Sequence, residues 1–190
     1  ELLQLARSKP GQLRYGSAGV GSPQHIIGEY FKARNSVDIS HIPYKGSAPA
    51  LADLQAGHIE VGVDYLTAAA PFVKAGSIRA LAVCGPERLN ALPGVPTARE
   101  AGLPDFELMA WTALFAPAKT PPEIVARLAN EINRTIDSPE RKQLQAANGS
   151  QAIRMSQAEF ASFVGAAALT KMSPLLLVKS SPPLARANER

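Results

Sequence analysis

Short extended and helical segments alternate through residues 12–85, and this alternation limits the fold more than any other feature. The extended segments are "QLRYGS", "VDISHIPY", "IEVGVDY" and "IRALAVCG". Between them lie three helical ones. The first is "SPQHIIGEYFKARN", with Ser22 as the cap, Pro23 at the first helical position, and Ile26, Ile27, Tyr30 and Phe31 as an apolar stripe. The second, "SAPALADLQAGH", stops at Gly57, and the third, "LTAAAPFVKAG", stops at Gly76. Strands of this length separated by helices of this length cannot pair as hairpins. They predict a parallel or mixed α/β sheet.

The remainder of the chain is more helical. "ELLQLARSKPG" has helical apolar spacing and a Pro-Gly stop. A proline-rich connector, "PERLNALPGVPTAREAGLPDFE", holds at most a short helix at Thr97–Ala101, and "LMAWTALFAP" reads as an apolar extended run. "TPPEIVARLANEINRTIDS" and "SPERKQLQAANG" read as helices, and "SQAIRM" as a short strand. The last helix, "SQAEFASFVGAAALTKM", starts with Ser156 as cap and Glu159 three residues on. The tail, "KSSPPLARANER", is polar and Pro-rich and is expected to fray.

Composition excludes several classes. A chain of 190 residues, 46% hydrophobic and 19% charged, can bury a sizeable core. No apolar run reaches the roughly 18–20 residues of a membrane span. The net charge of +4 comes from scattered basic residues, without the clustered Lys and Arg or interleaved aromatics of a nucleic-acid groove. The single cysteine, Cys84, cannot form an internal disulfide and reads as a small apolar packing residue.

The stretch "RYGSAGVGSPQH" carries the functional signal. A strand, a glycine-rich turn and a helix start together form an arrangement that binds anions, because first-turn N–H groups and the helix dipole both favour negative charge. Gly16 and Gly21 have P-loop spacing, but Ser22 and Pro23 follow where a lysine is needed. A dinucleotide fingerprint would place its third glycine at Gln24. Two readings remain: a smaller anion, such as a carboxylate, held by N–H groups and the hydroxyls of Ser17 and Ser22, or a tight turn with no ligand. Two further strand ends fall on the same rim. One brings Tyr44, Lys45, Gly46 and Ser47, the other Asp64 and Tyr65.

Here the chain resembles a family, the Bug/TctC-type periplasmic solute receptors of tripartite tricarboxylate transporters. The matching stretches are "YGSAGVGSPQHIIGEYFK", "HIPYKGSAPALADLQAGHIEVGVD", "VKAGSIRALAV", "RLNALPGVPTAREAGLPDFE", "WTALFAPAKTPPEIVARLAN" and "SQAEFASFV". They follow the family's order from residue 1 to about residue 165, and the match loosens beyond Gly165. The resemblance implies an α/β fold of the periplasmic-binding-protein, or Venus flytrap, type that closes on a small carboxylate. It implies a signal peptide and most of a first domain before residue 1. Residues 1–112 would then form the second, ligand-binding domain, residues 113–175 a returning segment that completes the first, and residues 176–190 a frayed tail.

The resemblance also assigns roles. Ser17, Ala18, Gly19, Gly21 and Ser22 match the loop that offers N–H and hydroxyl groups to the ligand. His25 adjoins that turn, either as a ligand contact or as a first-turn helix residue. Tyr44 and Lys45 lie on the neighbouring rim, with Lys45 on the anion or solvated. Asp64 would accept from a ligand amine or hydroxyl, or only cap the following helix. His41 and His58 read as structural or surface residues, and Trp111 as a packing residue. The implied partners are the ligand and the integral-membrane subunits of a transporter, with no nucleic acid, no stable membrane insertion, no cofactor and no metal. Two alternatives stand: a small hydrolase-like α/β enzyme, and a fragment of the receptor that binds nothing. The enzyme lacks support from a G-x-S-x-G elbow or metal-ligand spacing.

Overall fold

The computed structural model describes residues 1–108, 110–150, 152–166 and 174–179. A first helix, α1 (Leu2–Ser8), leads into the alternation read from the sequence. That alternation is β1 (Arg14–Ser17), α2 (Pro23–Asn35), β2 (Ser40–Pro43), α3 (Ser47–Ala56), β3 (Val61–Tyr65), α4 (Leu66–Lys74) and β4 (Ile78–Val83). Three helices follow the connector: α5 (Pro122–Asp137), α6 (Pro139–Asn148) and α7 (Gln157–Ala166). A last strand, β5 (Pro174–Lys179), returns to the sheet.

The sheet order is β2-β1-β3-β5-β4. β1 pairs in parallel with both β2 and β3. The chain therefore leaves β1 toward one edge through α2 and crosses back over it through α3. Such a reversal of direction leaves a crevice at the carboxyl ends of the strands, where α/β folds bind ligands. Two apolar clusters fix the layers. Tyr15, Ile27, Phe31, Val61, Val63, Ala82 and Cys84 belong to one cluster, shared with α1 and α2. Leu51, Leu54, Leu66, Ala69, Ile78 and Val83 belong to the other, shared with α3 and α4. Ala82 and Val83 are adjacent and fall in different clusters, as strand alternation requires. Helices thus cover both faces. Cys84 is buried, and desolvation pushes its thiol up to about 12. It is packing, as its apolar setting suggests.

Three sequence expectations need correction. The tail expected to fray from residue 176 contributes residues to β5, which runs antiparallel to both β3 and β4 and separates them. The run of Leu175, Leu176, Leu177 and Val178 fits a strand as well as a helix, and periodicity alone does not separate the two. The extended run 108–117 and the segment 152–155 form no strand among the described residues. The stretch Thr97–Ala101, which the sequence allowed at most a short helix, is a series of turns opened by Thr97, which bridges to Val83 in parallel. The Ala101 amide donates to the Thr97 carbonyl at 2.9 Å, and Gly102, with a left-handed φ of 93°, stops the turns directly after it. The end of the predicted last helix, residues 167–172, lies outside the described residues, as do residues 180–190. No helix among the described residues is long and apolar enough to cross a membrane.

Candidate functional site

Three helices begin at the carboxyl ends of β1, β2 and β3, and Asp64 ties their starts together. Asp64 is 2% exposed. Its Oδ1 accepts from the Ser47 hydroxyl at the start of α3 (2.8 Å) and from the Tyr65 amide at the start of α4 (2.8 Å). It also accepts from the Gln24 side-chain amide in the first turn of α2, at 3.3 Å. Burial raises the Asp64 pKa above its ordinary value, while these three donors pull the other way. Asp64 is therefore a buried fastener under the rim. Its one described oxygen network is filled by the protein itself.

The glycine turn is built on two positive-φ residues, Gly19 (φ 130°) and Gly21 (φ 80°). A Cβ at Gly19 would also lie 3.2 Å from the Tyr44 carbonyl oxygen. Side chains on the loop brace it from within. The Gly19 amide donates to Ser17 Oγ (3.1 Å), and the Gly21 amide donates to His25 Nδ1 (3.1 Å). Ser22 is the N-cap of α2, and its Oγ accepts from the His25 amide at 3.2 Å. The neighbouring loop is laced on through Tyr44 N–H to the Ser17 carbonyl (3.1 Å) and Gly46 N–H to the Ala18 carbonyl (3.2 Å). The amides of Ala18, Val20 and Gln24 have no acceptor among the described residues. They are the turn's unpaired donors, beside the start of α2.

Each residue singled out in the sequence has a place in this arrangement. Ser17, Ala18, Gly19, Gly21, Ser22 and His25 share the turn, with Ser17 buried and Gly21 exposed. The Tyr44 hydroxyl donates to Asp53 on α3 at 2.7 Å, and burial together with that bond pushes it up to about 12. Its polar end is thus engaged away from the turn. Lys45 is exposed at the rim. Trp111 packs edge-on against Phe163, with ring centroids 5.5 Å apart.

Sequence reasoning missed two members. Gln24 looked only like a failed third glycine, yet it is buried and bridges α2 to Asp64. His41 read as structural or surface. Its Nε2 lies 2.7 Å from Ser17 Oγ, and its ring stacks on His25 at 4.2 Å. Nothing local to "ISHIP" points to that role, because the contact depends on the parallel register that sets Tyr15 opposite His41.

Residues 1–177 match the model of the tripartite tricarboxylate transporter family receptor. The chain belongs to this receptor family. It is 43% identical over 141 residues to the "UPF0065 protein in tcbD-tcbE intergenic region" of Pseudomonas sp. strain P51, covering 74% of this chain and 42% of that one. A Rhodopseudomonas palustris protein solved with adipate superposes with a TM-score of 0.81 at 36% identity, over 87% of this chain and 55% of that one. MatC of Rhodopseudomonas palustris, solved with bound malate, gives a TM-score of 0.77 at 32% identity, over 86% of this chain and 57% of that one. The chain thus spans about half the length of these relatives. The family is one of solute-binding receptors rather than enzymes, and its α/β periplasmic-binding-protein fold is the class implied by the sequence motifs.

Proposed function

We propose that the chain is the ligand-binding part of a periplasmic receptor that captures a small carboxylate and passes it to the membrane subunits of a tripartite tricarboxylate-type transporter. The observation that carries this reading is the convergence of α2, α3 and α4 on Asp64, with the donor turn 17–22 on top. Three helix starts aimed at one rim supply positive potential and backbone donors without a lysine in a fixed pocket. That suits a carboxylate better than a triphosphate. Adipate and malate in the structural neighbours are of this class.

In this reading residues 1–112 together with β5 hold the ligand, and residues 113–166 belong to the other lobe. Ser17, Ala18, Gly19, Gly21 and Ser22 shape the anion cradle, directly or through water. Tyr44, Lys45 and Asp64 define its rim, Lys45 by charge and Asp64 by holding the helix starts. Calorimetry with adipate, malate and the uncharged diamide of adipate tests the reading. Heat of binding is expected for the diacids alone. Equal response to the diamide, or no response to any diacid, rejects it.

A further inference from the structure

Three aromatic rings from three elements stack behind the glycine turn. His41 of β2 lies between Tyr15 of β1 (centroids 4.7 Å apart) and His25 of α2 (4.2 Å), with interplanar angles of 26° in both pairs. Both imidazoles also hold the turn. His25 Nδ1 accepts the Gly21 amide at 3.1 Å. His41 Nε2 is 2.7 Å from Ser17 Oγ, which accepts the Gly19 amide and lies 3.2 Å from the Gly19 carbonyl oxygen.

These contacts dictate where protons sit. An amide always donates, so His25 Nδ1 is bare and its one ring proton is on Nε2. A second proton on His25 would set two donors against each other and break the Gly21 bond. His41 has no such restriction. When its Nε2 carries a proton, that proton goes to Ser17 Oγ and the Ser17 hydrogen goes to the Gly19 carbonyl. When its Nε2 is bare, the Ser17 hydrogen turns to His41. Both states keep the turn intact. Two charged imidazoles 4.2 Å apart would repel, so the added proton goes to the ring whose hydrogen bonds survive it, His41.

We propose that His41 is the proton-holding positioning residue of the anion turn, and that a carboxylate seated there draws one proton onto the His25–His41 pair, onto His41. The inference rests on the carboxylate-binding reading above. The groups that face His41 are His25, Glu29 and Lys32 from α2 and the Tyr15 ring and Ser17 hydroxyl from β1. Glu29 pairs with Lys32 at 2.8 Å and accepts the Tyr15 hydroxyl at 2.7 Å, so the pair's charges largely offset one another. Burial lowers the His41 pKa below its ordinary 6.5. The free turn is therefore backed by a neutral ring at pH 7, and an arriving anion supplies the missing counter-charge. Affinity should be flat above the bound His41 value, rise as pH falls from that value to the free one, and level off below it, by about tenfold for each unit that binding raises it.

Two measurements on the whole chain test this. Without ligand, an NMR titration follows both imidazoles and the Gly19 and Gly21 amides. Gly19 is expected to track His41, Gly21 to stay unmoved over that step, and His41→Gln to abolish the Gly19 step. A Gly19 amide that ignores the His41 step, or a Gly21 amide that follows it, overturns the proposal. With adipate, calorimetry at pH 6 in buffers of different ionisation heat should show proton uptake, lost in His41→Gln, which keeps a donor for Ser17 Oγ. Adipate binding with no proton uptake, or the same uptake in His41→Gln, overturns the proposal. If Gly19 tracks His41 and adipate does not bind, the carboxylate reading fails and its linkage to His41 fails with it, while His41 stands as the ring whose proton the turn follows.

Discussion

Asp64 and Gly28 decide how the rim is held. Asp64 sits 2% exposed with a raised pKa, so its charge is a cost at neutral pH. The sign follows directly: the stability it contributes is complete below its ordinary 3.8 and is lost as pH rises through the raised folded value. Asp64→Asn keeps an oxygen for Ser47, Gln24 and Tyr65 and removes the charge. It should leave thermal stability at pH 7 equal or higher, with a flatter dependence on acid pH. Asp64→Ala removes the acceptor from three donors and should cost about 1–3 kcal/mol. A loss in the Asn variant as large as that in the Ala variant, measured by denaturant unfolding, would show that the charge itself holds the rim. Gly28 faces the Tyr15 ring so closely that a Cβ there would overlap its Cε2 atom. Alanine is normally favoured inside a helix, yet Gly28→Ala should cost about 1–3 kcal/mol, because the ring it displaces supports His41. Unfolding midpoints of Gly28→Ala with and without Tyr15→Leu check this, the second change relieving the first. Asp64 was legible as a rim residue from its strand-end position. Its role as a fastener was not, since Gln24 and Ser47 reach it from positions 40 and 17 residues away.

The elements that position the turn were the most readable part of the chain. Caps, stops and apolar stripes are local signals, and the Ser22-Pro23 start and Gly57 stop appear in the structure where the residues place them. The same holds at Ser156 and Glu159, whose amides and side chains bond reciprocally at 2.7 and 3.2 Å. β5 was not readable, because a Leu-rich run acquires its strand identity only from β3 and β4 on either side. Its placement gives a prediction at this scale. Ending the chain at residue 173 would remove the strand that joins β4 to the rest of the sheet. β3 and β4 would each lose a line of backbone hydrogen bonds, worth about 1 kcal/mol apiece, and the two would face each other as unpaired edges. The truncated chain should melt lower by about 10 °C or more, or precipitate. Unchanged melting by circular dichroism would show that β4 and β3 close on each other without β5. Ser22→Ala, by contrast, should cost about 1 kcal/mol through lost capping and should loosen the turn that Ser22 begins.

Across the whole molecule, order is uneven. The sheet and its flanking helices bury two apolar clusters, whereas α5 has no buried residue. Ile124 and Leu128, one turn apart on α5, are 47% and 51% exposed, and Leu114 and Phe115 are 75% and 67% exposed. Four residues of spacing place Ile124 and Leu128 on one face, and Ile132 continues it. An apolar stripe of this kind is seldom left to water on a soluble monomer. Few of its contacts are buried, so local opening of residues 113–166 should require less free energy than opening of residues 13–106. Hydrogen exchange should therefore show weak protection over α5, α6 and α7 and strong protection over β1, β3 and β4. The 190-residue chain alone should also self-associate through the stripe in sedimentation experiments, and Leu128→Glu should return it toward a monomer. That substitution lies outside both apolar clusters of the sheet, so its unfolding midpoint should hold while its association falls. Uniform protection in a monodisperse monomer would mean that the stripe is stable in water as it stands. Loss of folding in Leu128→Glu would mean that α5 contributes to the core despite its exposure.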